Sequence, residues 1–240
     1  DAAAPIIEKA HAKGVKVLSY DRVIANADVD LYVSFDNVRV GEIQAQSIVT
    51  AVPKGNYLVL LGDPGDKNSI MIHEGHMKVL QAAIDAGAVT IAQKQACDKW
   101  SSSEARRITE DALTRHKLDA VIASNDGTAA GAIAALEAKG LAGKVPISGQ
   151  DADLLNCQYV VQGKQAVTVY KPIRKLAEFS AEAAVAMARG EPVEGINARV
   201  NNGKVEVPTV FLDPIPVTRE NMDATVIADS YHSRDKVYIQ

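Results

Sequence analysis

Aromatic residues make up only 5% of the 240 positions, and there is one tryptophan, Trp100. So small a supply singles out that indole and the seven tyrosines as places where ring surface is wanted. A basic excess is also missing. With 26 Lys and Arg against 30 Asp and Glu, the formal charge is -4, which offers no electrostatic footprint for nucleic acid. No run reaches the roughly 18 uninterrupted apolar residues of a membrane span. The chain opens DAAAPIIEKA rather than with a basic and then apolar leader. A mature secreted protein would have shed its leader, so this start does not argue for the cytoplasm. Cysteine is scarce too: Cys97 and Cys157 alone, which by count could equally pair or remain buried thiols.

Several chemical signatures are missing as well. Neither G-x-G-x-x-G after a strand nor G-x-x-x-x-G-K-[ST] occurs, so dinucleotide and P-loop chemistry lack their fingerprints. GDPGDKN (62–68) has the composition of a phosphate loop without the Lys-Ser/Thr that should follow. His73 and His76 are three apart, not at the H-E-x-x-H spacing of a zinc protease, and His11, His116 and His232 make no ligand set. G-x-S-x-G is absent, and no nucleophile stands beside a base. No cofactor, metal or catalytic residue is expected.

What is present is a rhythm. Short apolar runs at 15–20, 32–35, 57–61, 89–93, 119–124, 145–149 and 166–170 alternate with helical patterns near 3–13, 38–52, 69–86, 102–116, 128–139, 153–163 and 172–189. Such alternation predicts βαβ units and parallel sheets with helices on both faces. The strand runs are continuously apolar, as expected when both faces are covered. Ser101 with Glu104 suggests a capping box, Pro172 a first helical turn, and Gly87, Gly140 and Gly190 helix ends. After residue 190 the pattern changes to alternation around Asn201-Asn202-Gly203, which reads as a hairpin followed by an extended crossing. The chain also begins with a helical pattern where a doubly wound domain should begin with a strand, so the reading is of an N-terminally incomplete copy of something longer.

Ligands of open parallel sheets bind beyond the carboxyl ends of the strands. Those ends carry Asp21 and Arg22, Gly62-Asp63, Asn125 and Asp126, Gln150 and Asp151, and Tyr170-Lys171. One polar residue there is usually an N-cap. Five such ends are harder to explain that way, and Arg22 and Lys171 cannot cap because they have no acceptor. Carboxylates, an amide and cations with little net charge suit a neutral ligand studded with hydroxyls, since each OH both donates and accepts. Sugars also offer a C–H face to a ring, and Trp100 lies in a loop context, CDKWSSS. In VIASNDGTAAG (121–131), Asp126 or Thr128 is placed to cap the following helix.

The segments SYDRVI, YVSFDNVRVGEIQA, GDPGDKNSIMIHEGHMKVL, CDKWSSSEA, AVIASNDGTAAGAI, ISGQDADL and VTVYKPI resemble, in order and over essentially the whole chain, the bacterial D-xylose-binding proteins of ABC sugar importers. Those belong to the periplasmic class that includes ribose and galactose binders. The resemblance implies a periplasmic-binding-protein type I fold: two doubly wound α/β lobes, joined by three crossings, that close on a sugar. It places the first lobe at 1–36 plus 171–212, lacking about two N-terminal βα units, and the second at 37–170 plus 213–240. It assigns the sugar to Asp21, Arg22, Asn68, Trp100, Asn125, Asp151 and Lys171. His73 stands where some relatives carry a sugar-contacting Arg, which leaves the preferred sugar open. It further implies a Cys97–Cys157 disulfide, a periplasmic location, a membrane permease as partner, and a monomer. The expected role is a non-catalytic receptor for D-xylose or a similar aldopyranose. The other readings are a sugar-sensing domain of a repressor or sensor, and a sugar-processing enzyme built on carboxylates among Asp21, Asp126 and Asp151.

Overall fold

Every apolar run and helical pattern named above forms its element in the computed structural model, which describes residues 3–239. The chain divides into two units, Asp1–Asp36 with Pro172–Pro214, and Asn37–Lys171 with Ile215–Gln240. The first unit holds α1 (Ala4–His11), β1 (Leu18–Tyr20) and β2 (Leu31–Phe35), and later α7 (Ile173–Arg189), β8 (Ala198–Asn201) and β9 (Glu206–Leu212). The second holds α2 (Asn37–Ala51), β3 (Gly55–Leu61), α3 (Lys67–Asp85), β4 (Val89–Ala96), a 3-10 turn at Asp98–Trp100 and α4 (Ser102–Arg115). It continues with β5 (Ala120–Ala123), α5 (Asp126–Glu137), β6 (Ser148–Gln150), α6 (Leu154–Val161), β7 (Val167–Tyr170), β10 (Ile215–Val217), a π-helical turn at Asp223–Ile227 and α8 (Arg234–Val237).

In the first unit the sheet runs β1-β2-β9-β8, parallel except for the β8–β9 hairpin. Asn202 closes that hairpin, its Oδ1 accepting from the Lys204 and Val205 amides at 3.0 Å each. All five residues of β2 are buried, because Leu31, Val33 and Phe35 pack with Leu176 and Ala183 of α7 while Tyr32 packs with Ile7 of α1 and Val207. A strand covered on both faces has no polar face to show.

In the second unit β4-β3-β5 and β6-β7-β10 form two three-stranded ladders linked by a parallel bridge between Val121 and Ile147. All pairs are parallel except β7–β10. Side-chain alternation along β3 divides the core: Leu58 and Leu60 pack with Ile108 of α4 and Ile133 of α5, Tyr57 and Val59 with Ile48 of α2 and Leu80 of α3. Full burial of each such aliphatic side chain stabilises by about 1.5–3 kcal/mol.

Helix ends follow local chemistry with two departures. Ser101 caps α4, its Oγ accepting from the Glu104 amide at 3.3 Å, but Glu104 does not return the bond to Ser101 and instead accepts from the Asp98 amide at 3.0 Å. Pro172 is the N-cap of α7 rather than a residue of its first turn. Gly190 ends α7 in the left-handed conformation, φ 71°.

The implied disulfide is not formed: Cys97 and Cys157 are both free and buried. Cys97 follows edge strand β4 and packs with Leu58 and Leu60, whereas Cys157 on α6 packs with Val160, Tyr170 and Val226. Between β4 and β7, the strand that α6 covers, the order β4-β3-β5-β6-β7 takes four steps of about 4.8 Å. A disulfide needs Cα atoms within about 7 Å.

Candidate functional site

Because β3, β5, β6 and β7 are parallel neighbours, their carboxyl ends share one edge of the second unit. That edge presents Gly62-Asp63, Ser124-Asn125, Gln150-Asp151 and Tyr170-Lys171. Lys171 Nζ and Asp151 Oδ1 are 2.9 Å apart, with the lysine side chain 11% exposed and the aspartate 35%. Asp151 has φ 97°, a conformation that non-glycine residues adopt only when surroundings enforce it. Its amide donates to the Val169 carbonyl at 2.9 Å, and the next amide, of Ala152, donates to Thr168 Oγ1 at 3.1 Å. Those bonds hold the turn after β6 to β7.

Asn125 corrects the reading of VIASNDGTAAG. It is itself the N-cap of α5, Oδ1 accepting from the Thr128 amide at 2.9 Å, and Thr128 Oγ1 completes the capping box. Asp126 is therefore the first helical residue and caps nothing. It is fully buried, its oxygens accepting from Gln165 Nε2 at 2.9 Å, Thr168 Oγ1 at 2.8 Å and the Asp153 amide at 2.9 Å. Burial drives its pKa well up, only partly countered by the Gln165 hydrogen bond. With both oxygens enclosed, it makes no carboxylate pair at the surface.

Trp100 lies at the same edge, half-buried against Val40, Ile43, Ile72 and Val169. Its ring covers Gly62 so closely that a Cβ there would sit 2.2 Å from Cη2, so only glycine fits. Asn68, in the first turn of α3, is 6% exposed and donates its amide to Asp66 Oδ1 at 3.0 Å, the N-cap bond of that helix. His73 stands apart. Its ring contacts are Lys94 Nζ at 3.4 Å and the His76 ring at a centroid distance of 6.1 Å, neither of them a predicted site residue. Burial, assisted by the Lys94 charge, lowers its pKa.

In the first unit, Asp21 and Arg22 follow β1. Asp21 has φ 61°, and its carbonyl accepts from Tyr32 Oη at 2.9 Å and Ser34 Oγ at 2.8 Å. Ser19 Oγ donates to the Arg22 carbonyl at 2.6 Å. Hydroxyls from β1 and β2 thus fix the backbone of this turn.

Sequence reasoning missed a buried polar layer beneath the strand ends. Gln44 of α2 donates from Nε2 to the Ser124 carbonyl at 3.1 Å and to the Gly149 carbonyl at 3.0 Å, stapling β5 to β6. Its Oε1 is 2.7 Å from His76 Nε2, which must therefore carry the proton. Burial pushes the His76 pKa down to about 3. Asn156 Nδ2 ties the Asp126 carbonyl at 3.0 Å to Gln165 Oε1 at 2.8 Å. Gln150 Oε1 is buried without a partner beside Asp151. The strand-end position of Gln150 was visible in the sequence. Nothing local marks Gln44 or His76, polar residues within helical patterns. Among the described residues no group of three His, Cys, Asp or Glu is arranged to hold a metal, and no helix is long and apolar enough to cross a membrane.

The profile of the periplasmic binding protein domain family matches residues 1–192. The D-xylose-binding periplasmic protein of Haemophilus influenzae is 50% identical over 235 residues, which span 97% of this chain and 70% of that protein. That of Escherichia coli is 46% identical over 234 residues, 97% of this chain and 71% of that one. Among solved structures, an ABC transporter solute-binding protein of Clostridium phytofermentans with bound β-D-glucose superimposes with a TM-score of 0.90 at 29% identity, covering 99% of this chain and 79% of its own.

Proposed function

The chain belongs to the periplasmic binding protein domain family, with its type I fold, and from that premise we propose a receptor for D-xylose or a similar aldopyranose that serves an ABC permease. Within the second unit the proposed ligand contacts are Asn68, Trp100, Asn125, Asp151 and Lys171, and for the first unit by itself they are Asp21 and Arg22. His73 is left out of these contacts, because its ring is engaged with Lys94.

The observation that carries the reading is the pairing of Asp151 with Lys171 at one sheet edge, held at 2.9 Å with Asn125 at the neighbouring strand end. Side chains fixed before the ligand arrives lose little freedom on binding it. A carboxylate accepts from sugar hydroxyls, an ammonium donates to them, and an amide does both. Such charge-assisted bonds are stronger than neutral ones, while the site adds almost no net charge to repel a neutral ligand. The Trp100 face supplies the apolar surface for a C–H face. Nothing in the set is arranged as a nucleophile with its base, so the role is capture without turnover, in the periplasm where the H. influenzae and E. coli relatives are named.

Calorimetric titration with D-xylose, D-glucose, D-ribose and L-arabinose tests this. Saturable binding of at least one, with the sugar recovered unchanged, is the expected result. Absence of binding to all four, or conversion of any of them, rejects the receptor reading.

A further inference from the structure

Trp100 is the only indole of the chain, and its backbone is held in an unfavourable conformation. Lys99 has φ 52° and Trp100 φ 58°, two successive non-glycine residues in the left-handed region. Such residues persist only where the surroundings over-determine them. Here the surroundings are identifiable. Asp63 accepts from the Lys99 amide at 2.6 Å with Oδ2 and from the Gly65 amide at 2.7 Å with Oδ1. Asp66 accepts from the indole Nε1 at 3.2 Å with Oδ2 and from the Asn68 amide at 3.0 Å with Oδ1. Each carboxylate therefore bridges the loop after β3 to the turn that carries the ring. Gly62, directly under the ring, leaves the indole plane resting on backbone.

We propose that Asp63 and Asp66 are positioning residues that set the plane of the Trp100 indole before any ligand arrives. Asp63 fixes the strained backbone at Lys99, and Asp66 fixes the ring through its N–H while holding the start of α3, where Asn68 lies. The two oxygens of each aspartate are used by different donors, which is why an amide cannot replace either side chain. Asparagine has one acceptor, so it keeps one bond and turns an NH2 against the other donor. Asp63→Asn and Asp66→Asn are thus close to isosteric changes that each cost the side chain one of its two bonds and set an NH2 against a donor. The proposal rests on the reading of Trp100 as a sugar contact, but its first readout does not.

That readout is time-resolved fluorescence anisotropy of the single tryptophan in sugar-free protein, with Asp85→Asn at the far end of α3 as the charge-matched control. Both site variants are expected to show a faster local depolarisation and a red-shifted emission while their far-UV melting temperatures stay near the control's. D-xylose affinity, read by calorimetry, is expected to fall about threefold to tenfold in each, the loss of one hydrogen bond of ordinary net strength. Unchanged indole anisotropy in both variants overturns the proposal whatever the sugar does. A loosened ring with unaltered xylose affinity overturns the claim that the tethers serve binding. If the parent protein binds none of the sugars, the receptor reading fails while the anisotropy still decides whether the two aspartates hold the ring.

Discussion

Lys171 Nζ stands 2.9 Å from Asp151 Oδ1, and the lysine is the more deeply set of the two, 11% against 35% exposed. The turn at Asp151 is left-handed, so asparagine, which tolerates that backbone, is the informative replacement. Asp151→Asn is expected to weaken D-xylose binding by about 10- to 150-fold, the value of one charge-assisted bond at ~1.5–3 kcal/mol. It also removes the Asp151 negative charge that stands 2.9 Å from the Lys171 ammonium. Calorimetry on Asp151→Asn, Lys171→Met and the double variant checks this, with the double loss expected to be smaller than the sum because the two share one interaction.

Asn125 has two separable duties. As N-cap of α5 it contributes about 1 kcal/mol that alanine forfeits and serine retains. As a proposed ligand amide it offers an N–H that neither replacement supplies. Asn125→Ala is therefore expected to lower both unfolding free energy and sugar affinity. Asn125→Ser should lower affinity alone, as judged by urea unfolding and calorimetry in parallel. Equal affinities for the serine variant and the parent would leave Asn125 as a cap only.

His76 makes stability depend on pH in a direction that can be worked out. Its pKa is about 3 when folded and about 6.5 when unfolded, so below pH 6.5 the unfolded chain binds the extra proton. Stability is fully present above pH 6.5 and is lost progressively as pH falls toward 3. From pH 7.5 to 5 this group alone removes about 2 kcal/mol. His73, lowered by the same cause, adds in the same sense. Asp126, whose pKa is raised, acts oppositely over the pH range between its unfolded and folded values. Urea unfolding of the parent and of His76→Gln at pH 7.5, 6 and 5 isolates the histidine, and the variant is expected to show the shallower pH dependence.

The two thiols are predicted to be inert. Burial pushes the pKa of both Cys97 and Cys157 up to about 12, so neither has appreciable thiolate at neutral pH. The native protein is expected to give no reaction with an aromatic disulfide reagent, and two equivalents after unfolding without reductant. Two equivalents appearing only after reduction would instead establish the disulfide.

Local signals carried the element order far. Continuous apolar runs predicted strands covered on both faces, and β2 and β5 are buried at every residue. The hairpin at Asn201-Asn202-Gly203 was legible because its turn chemistry is local. The strand-end rule also gathered polar residues that the fold brings to one sheet edge, since parallel strands deliver their carboxyl ends together. It failed one residue at a time. Asn125 and Asp126 are adjacent and both polar, and which of them caps α5 depends on whether Gln165 and Thr168, about 40 positions later, have already claimed the aspartate.

By itself the sequence determined the alternation of strands and helices, the polar chemistry at the strand ends, and the resemblance through which its family could be recognised. Those depend on neighbours within a few positions, or on residues read in order. Only the tertiary structure decided that Cys97 and Cys157 stay apart, that Gln44 and His76 brace β5 and β6, and that Asp63 and Asp66 reach Trp100. Each is a matter of strand order and of which buried donor finds which acceptor. A buried polar atom must satisfy that pairing with whatever the fold brings near, however distant in the chain.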